Sequence, residues 1–245
     1  AGTRRTWAEL AERVQRISGG LRAAGLKPGD RIAVLDLNHP SCLELTLACA
    51  QTGCANAVVN FRLAPPEVAY VINDSKARIL FVGPEFAGAA EQLRPSLPAL
   101  ERVIRIGGDR DEFESWVAAH APDPKVHPAN GGDCFVQLYT SGTTGFPKGA
   151  MLTHLNLYAN ALQGAAWMKD AVDGREVSYA LLPMFHAFGM TLYLTFGLLK
   201  RSRLVLFPTF DVDMVLDAAK KSPPTIYCAV PPIYDKTARR AAERG

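Results

Sequence analysis

Short apolar runs rich in β-branched and aromatic residues alternate with amphipathic stretches along nearly all of this 245-residue chain, and that rhythm restricts its fold more than any other feature. Residues 31–35, 57–60, 78–82, 102–106, 134–139, 177–182, 203–207 and 225–230 read as strands. Between them lie helical patterns at 41–52, at 65–73 opening on proline, at 85–93 and at 111–119. The first helix carries Trp7, Leu10, Val14, Ile17, Leu21 and Ala24 in steps of three and four, and Gly25 followed by Lys27-Pro28-Gly29-Asp30 ends it. Strands separated by helices pair in parallel through crossovers rather than hairpins. The expected fold class is therefore α/β, with mainly parallel sheets flanked by helices. Residues 121–132 break the rhythm with Pro122, Pro124, Pro128, Asn130, Gly131 and Gly132, which marks an internal boundary between a first α/β unit, 1–120, and a second, 133–245.

At 48% hydrophobic and 21% charged, the chain can bury a sizeable core. Its net charge of +3 is small and its basic residues are scattered, so nucleic acid is not an expected partner. The short cluster Lys200-Arg201-Ser202-Arg203 reads as a solvated helix end, with contact to anionic lipid as the alternative. Five cysteines without paired spacing imply reduced thiols, and Cys42, Cys49 and Cys54 sit in one apolar stretch as small hydrophobes. No secretory leader or membrane span is visible, and a cytoplasmic location is expected. The chain lacks an initiating methionine and enters a helix almost at once, so it is expected to be part of a longer parent.

Chemistry concentrates in Tyr139-Thr140-Ser141-Gly142-Thr143-Thr144-Gly145-Phe146-Pro147-Lys148-Gly149. Glycines allow backbone N–H groups to approach an anion, hydroxyls donate to phosphate oxygens, and Lys148 supplies positive charge. A strand over 134–139 delivers this loop. Apolar Ala150-Met151-Leu152 follows, then Thr153 as a helix N-cap and Tyr158, Ala161, Leu162 and Ala165 at helical spacing, so the order expected is strand, loop, helix. The common nucleotide P-loop needs Gly-Lys followed by Ser or Thr, whereas Pro147 precedes Lys148 here and Gly149 follows it. A solvated surface loop could share this composition.

The stretch closely resembles the signature of the adenylate-forming superfamily, which includes acyl-CoA synthetases, luciferases and peptide-synthetase adenylation domains. The resemblance runs from Thr6-Trp7-Ala8-Glu9-Leu10 through Asn60-Phe61-Arg62-Leu63 to the Val230-Pro231-Pro232 step. It implies part of the large N-terminal domain of the acyl-CoA synthetase fold. It also implies activation of a carboxylic acid by ATP with magnesium to an acyl-adenylate, then transfer to coenzyme A. By that reading Thr140, Ser141, Gly142, Thr143, Thr144 and Gly145 hold the β- and γ-phosphates, Lys148 is the cationic catalytic support and Thr143 the magnesium ligand.

A second constellation, Pro183-Met184-Phe185-His186-Ala187-Phe188-Gly189-Met190, follows a strand end, where open α/β sheets bind ligands. A lone histidine among apolar residues is more often a packed side chain. In acyl-CoA synthetases the equivalent histidine and its aromatic neighbours line the acid channel, while amino-acid-activating relatives usually carry aspartate there. The resemblance thus makes His186 a catalytic and substrate-binding candidate with Phe188, and Val230 a neighbour of the acyl pocket. Phe185, Phe188 and Met190 suit an apolar chain or ring, or equally a core. The expected parent is a fatty-acid–CoA ligase. The alternatives are an aryl-CoA ligase, a fatty acyl-AMP ligase serving a carrier protein, or a non-catalytic nucleotide-binding or interaction module. The family's Tyr-Gly-x-Thr-Glu and Thr-Gly-Asp segments and its mobile C-terminal domain are absent from these 245 residues, so the chain alone is expected to show negligible acid-dependent pyrophosphate exchange; robust exchange would refute that.

Overall fold

The computed structural model describes residues 3–140 and 147–244, and these form two compact units. The first comprises Ala1–Asp36 with Pro40–Asn156, and the second Leu37–His39 with Leu157–Gly245. The boundary expected at 121–132 therefore moves. That segment lies within the first unit, because the strand that follows it hydrogen-bonds to a strand that precedes it.

In the first unit, α1 (Trp7–Ala23), α2 (Pro40–Thr52), α3 (Pro65–Ser75), α4 (Ala87–Leu93) and α5 (Glu112–Ala118) cover a six-stranded sheet. Its strands are β1 (Arg31–Leu35), β2 (Ala55–Val58), β3 (Ile79–Val82), β4 (Arg102–Arg105), β5 (Cys134–Thr140) and β6 (Lys148–Thr153), in the order β4-β3-β1-β2-β5-β6. The pairings are parallel as expected, except that β6 runs antiparallel to β5. Residues 148–153 were expected to lead straight into a helix. Their backbone instead pairs with β5 from Thr140 opposite Lys148 to Cys134 opposite Thr153, with an irregularity between Cys134 and Val136.

Side chains alternate across the sheet, so the strands feed two cores. Ile32 and Val34 pack with Val14, Ile17 and Leu21 of α1, Leu45 of α2, and Phe113 and Trp116 of α5. Ala33 and Leu35 face the other way, onto Val68, Val71 and Ile72 of α3 and Ala90 of α4. Helix α1 starts at a capping box in which the Thr6 hydroxyl accepts the Glu9 N–H at 3.2 Å and the Glu9 carboxylate accepts the Thr6 N–H at 2.6 Å. All five cysteines are free. Cys49 and Cys54 lie in the core, where burial pushes both thiols up and leaves them poor nucleophiles.

Three helices of this face are joined by one charge cluster. Arg13 of α1 donates through Nε to Glu44 of α2 at 2.9 Å and through Nη2 to Glu114 of α5 at 2.7 Å, with Arg5 3.2 Å from Glu44. Burial alone would lower the Arg13 pKa, but the two carboxylates hold it above its ordinary value.

The second unit takes most of α6 (His154–Trp167) and pairs β7 (Val177–Ala180) in parallel with β8 (Arg203–Leu206). Between these strands the chain winds through α7 (Ala187–Gly189), a π-helical stretch Met190–Phe196 and α8 (Gly197–Leu199). α9 (Val212–Lys221) and α10 (Pro231–Arg244) follow, tied by Arg240 to Asp213 at 2.8 Å and Arg244 to Asp217 at 2.7 Å. The strand expected at 225–230 is reduced to one bridge, Ser178 to Ile226. Beyond it the backbone is held by a side chain instead: the Tyr234 hydroxyl accepts the Ala229 N–H at 3.1 Å and donates to the Tyr227 carbonyl at 2.8 Å. In the Lys200–Arg203 cluster, Lys200 and Arg201 both face Asp173, at 3.2 and 3.6 Å, so part of its charge is paired. Among the described residues no helix is long and apolar enough to cross a membrane.

Candidate functional site

Strands β5 and β6 hold the two ends of the hydroxyl-rich loop opposite each other, Thr140 facing Lys148 in the antiparallel register. Ser141, Gly142, Thr143, Thr144 and Gly145, the expected phosphate and magnesium ligands, lie outside the described residues. Thr140 and Lys148 are exposed, and Lys148 forms no ion pair among the described residues. A free cation and a hydroxyl at the mouth of a loop fit a polyanionic ligand.

Behind the loop, a chain of hydrogen bonds fixes β5. Arg31 Nε donates to Gln137 Oε1 at 2.9 Å, Gln137 Nε2 donates to Tyr139 Oη at 2.8 Å, and Tyr139 Oη donates to Asp74 Oδ2 at 2.6 Å. Burial and the Asp74 carboxylate push the Tyr139 pKa up, which keeps the phenol protonated as the donor. Gly149 lies across from Tyr139, and a Cβ there would come within 2.4 Å of Gln137 Nε2 and 3.0 Å of the Tyr139 ring. Sequence reasoning placed Gly149 in the loop signature but missed this packing role, because Gln137 becomes its neighbour only through strand pairing.

After β6, the Thr153 hydroxyl accepts the Asn156 N–H at 3.2 Å, the capping expected for α6. Its buried stripe runs through Leu157 and Ala161, while Tyr158 and Leu162 are exposed. His154 stacks on Phe135 with ring centroids 4.9 Å apart, and burial depresses its pKa, so this histidine packs as a neutral ring.

His186 behaves differently. It is exposed and caps α7, its Nδ1 accepting the Phe188 N–H at 3.3 Å. An accepting Nδ1 places the proton of the neutral ring on Nε2, leaving that N–H available to an external acceptor. Phe188 is 48% exposed and Val230 46% exposed, whereas Met190 is core. The turn before His186 is tightly packed: a Cβ on Gly189 would lie 2.5 Å from the Pro183 carbonyl oxygen, a backbone atom with little freedom to move aside. His186, Phe188 and Val230 all belong to the second unit, and Thr140 and Lys148 to the first. Among the described residues no group of three or more His, Cys, Asp or Glu gathers as a metal site.

A mainly parallel sheet between helix layers, whose strands β5 and β6 flank a hydroxyl-rich sequence followed by a lysine, defines an α/β protein. The model of the AMP-binding enzyme family matches residues 1–245, and the chain belongs to that family. It is 38% identical over 238 residues to a feruloyl-CoA synthase from Amycolatopsis sp, covering 97% of this chain and 46% of the relative. A fatty acid–[acyl-carrier-protein] ligase, ScoC, from Streptomyces coeruleorubidus is 34% identical over 229 residues, covering 92% and 43%. Among solved structures, ATP-bound MatB from Rhodopseudomonas palustris superposes with a TM-score of 0.84 at 28% identity, covering 94% of this chain and 45% of that one. The chain thus spans about half the length of the relatives it matches.

Proposed function

We propose that the longer protein of which this chain forms part is an ATP-dependent acid–CoA ligase, and that its acid lacks an α-amino group and carries an apolar chain, as a fatty acid does. The observation that carries the substrate class is His186: exposed, its Nδ1 engaged by the Phe188 N–H so that Nε2 faces outward as a hydrogen-bonding tip, beside an exposed Phe188 and without an ion-pair partner among the described residues. A substrate ammonium would need a carboxylate at this position. An apolar acid needs a hydrogen-bonding tip and aromatic surface. The 38% identity to a feruloyl-CoA synthase favours a second reading, an aryl acid, and the likeness to a carrier-protein ligase favours a carrier thiol as the alternative acceptor.

In the first half-reaction Thr140 and Ser141 through Gly145 would bind the β- and γ-phosphates, Thr143 would hold a magnesium ion whose charge would help neutralise them, and Lys148 would offset phosphate charge. ATP supplies the leaving group: a carboxylate oxygen attacks the α-phosphorus and pyrophosphate departs, after which a thiol attacks the acyl carbonyl and AMP departs. Such transfers depend on positioning and electrostatics, and the hydroxyls and lysine of this sequence are the groups that would supply the electrostatic part. His186 orients the acid rather than the nucleotide. In the full-length enzyme, His186→Ala is expected to lower kcat/KM for the acid by about 10-fold or more, or to change acid preference, with the ATP KM within about twofold of the unsubstituted enzyme. Acid- and ATP-dependent pyrophosphate exchange measures both, and an effect confined to ATP would remove His186 from the acid site.

A further inference from the structure

The backbone that carries His186 leaves the sheet at Ala180, where β7 ends, and its next polar groups need other partners. Two buried side chains provide them, Asn38 from far upstream in the sequence and Tyr193 from the connection that follows. Asn38, 5% exposed and part of the short Leu37–His39 segment of the second unit, accepts the Met184 N–H on Oδ1 at 2.8 Å. Its Nδ2 donates to the carbonyls of Leu182 at 2.9 Å and Ala180 at 3.4 Å. Tyr193, fully buried in the π-helical stretch, accepts the N–H groups of Leu181 and Leu182, both at 3.3 Å, and donates to the Cys228 carbonyl at 3.4 Å.

We propose that Asn38 and Tyr193 are positioning residues for the acid site, clamping the 180–184 backbone from two sides so that the turn ending at His186 has one fixed path. The Tyr193 hydroxyl also ties that turn to Cys228, two residues before Val230, and so sets the segment carrying His186 and Phe188 against the segment carrying Val230. An asparagine suits the first task because it needs an acceptor and a donor at one point. Aspartate would keep the acceptor for Met184 but set a carboxylate against two carbonyl oxygens. The π-helical winding suits the second, since widened helical turns commonly re-aim a side chain beside a functional site. Neither residue is expected to touch the acid.

This inference rests on the acid-site reading of His186, and the test separates the two. In the full-length enzyme, acid-dependent pyrophosphate exchange is followed as acid and ATP are varied in turn, for the unsubstituted protein, Asn38→Asp and Tyr193→Phe. A displaced His186 turn is expected to raise the acid KM about 10-fold or more in both variants, with the ATP KM within about twofold. A purely structural role would lower the melting temperature and the amount of active enzyme but leave the acid KM of the folded fraction unchanged, and that result overturns the proposal. Tyr193→Phe removes one oxygen without changing shape, so it carries the test should Asn38→Asp fail to fold. If His186→Ala leaves acid kinetics untouched while Asn38→Asp and Tyr193→Phe raise the acid KM, the reading of His186 fails but the clamp stands. If only His186→Ala alters acid kinetics, the clamp fails alone.

Discussion

Replacing Lys148 by alanine in the full-length enzyme is expected to cut acid-dependent pyrophosphate exchange by about 10²-fold, the scale seen when one preorganised electrostatic contact to a developing charge is removed. Lys148 stands at the first position of β6, opposite Thr140, with an exposed side chain and no ion pair among the described residues. Its charge stabilises no local structure that would be lost with it. The melting temperature should therefore stay within about a degree of the unsubstituted protein, since surface substitutions of this kind cost little. Lys148→Arg keeps the charge but not the compact ammonium, and should recover part of the rate. An exchange rate for Lys148→Ala within about threefold of the unsubstituted enzyme would remove the lysine from the nucleotide site.

The largest expected stability effect lies away from the loop. Glu44 is 1% exposed on α2, and Arg13 is its closest cationic partner, at 2.9 Å. Arg13→Ala removes the guanidinium that also holds Glu114, and leaves Glu44 with Arg5 alone at 3.2 Å. Breaking one side of a buried pair costs about 3–5 kcal/mol, and the remaining Arg5 places the expected loss at about 3 kcal/mol. Urea unfolding of the 245-residue chain reads this as a lower midpoint at unchanged slope. A loss below about 1 kcal/mol would mean that Arg5 and local relaxation suffice to solvate Glu44. Glu44→Gln should cost less than Arg13→Ala, because it removes the buried charge along with its partner's attraction.

Much of the first unit was legible because its signals are local. The step pattern from Val14 to Leu21 requires one buried helix face, and the β-branched runs at 31–35 and 79–82 require burial on both sides of a sheet. The errors fell where a tertiary partner overrode local pattern. Residues 148–153 carry apolar and polar side chains without clear alternation, and they became a strand because β5 offered an unpaired edge. Residues 225–230 look like a strand, yet beyond Ile226 the Tyr227 carbonyl and the Ala229 N–H found Tyr234 instead of a neighbouring strand.

The candidate site divides along the same line. The hydroxyls, glycines and lysine between Tyr139 and Gly149 carry the proposed phosphate role from residue chemistry alone, since each group would act through its own donors or charge and the spacing is contiguous. His186 was visible for the same reason, as a polar ring among aromatics after a strand. What holds that histidine in place was not visible: Asn38 lies 146 residues before the Met184 N–H it accepts, and nothing in its neighbours distinguishes it from an ordinary turn asparagine. The roles of Tyr193 and Gly189 likewise exist only in the folded unit, where a hydroxyl meets the N–H groups of Leu181 and Leu182 past the end of β7 and a missing Cβ lets helix and turn backbones touch. Sequence by itself determined which chemical groups make up the proposed site, because those are properties of single residues. Only the tertiary structure decided how they are aimed, because the hydrogen bonds that fix the backbone join residues whose separation along the chain carries no local signal.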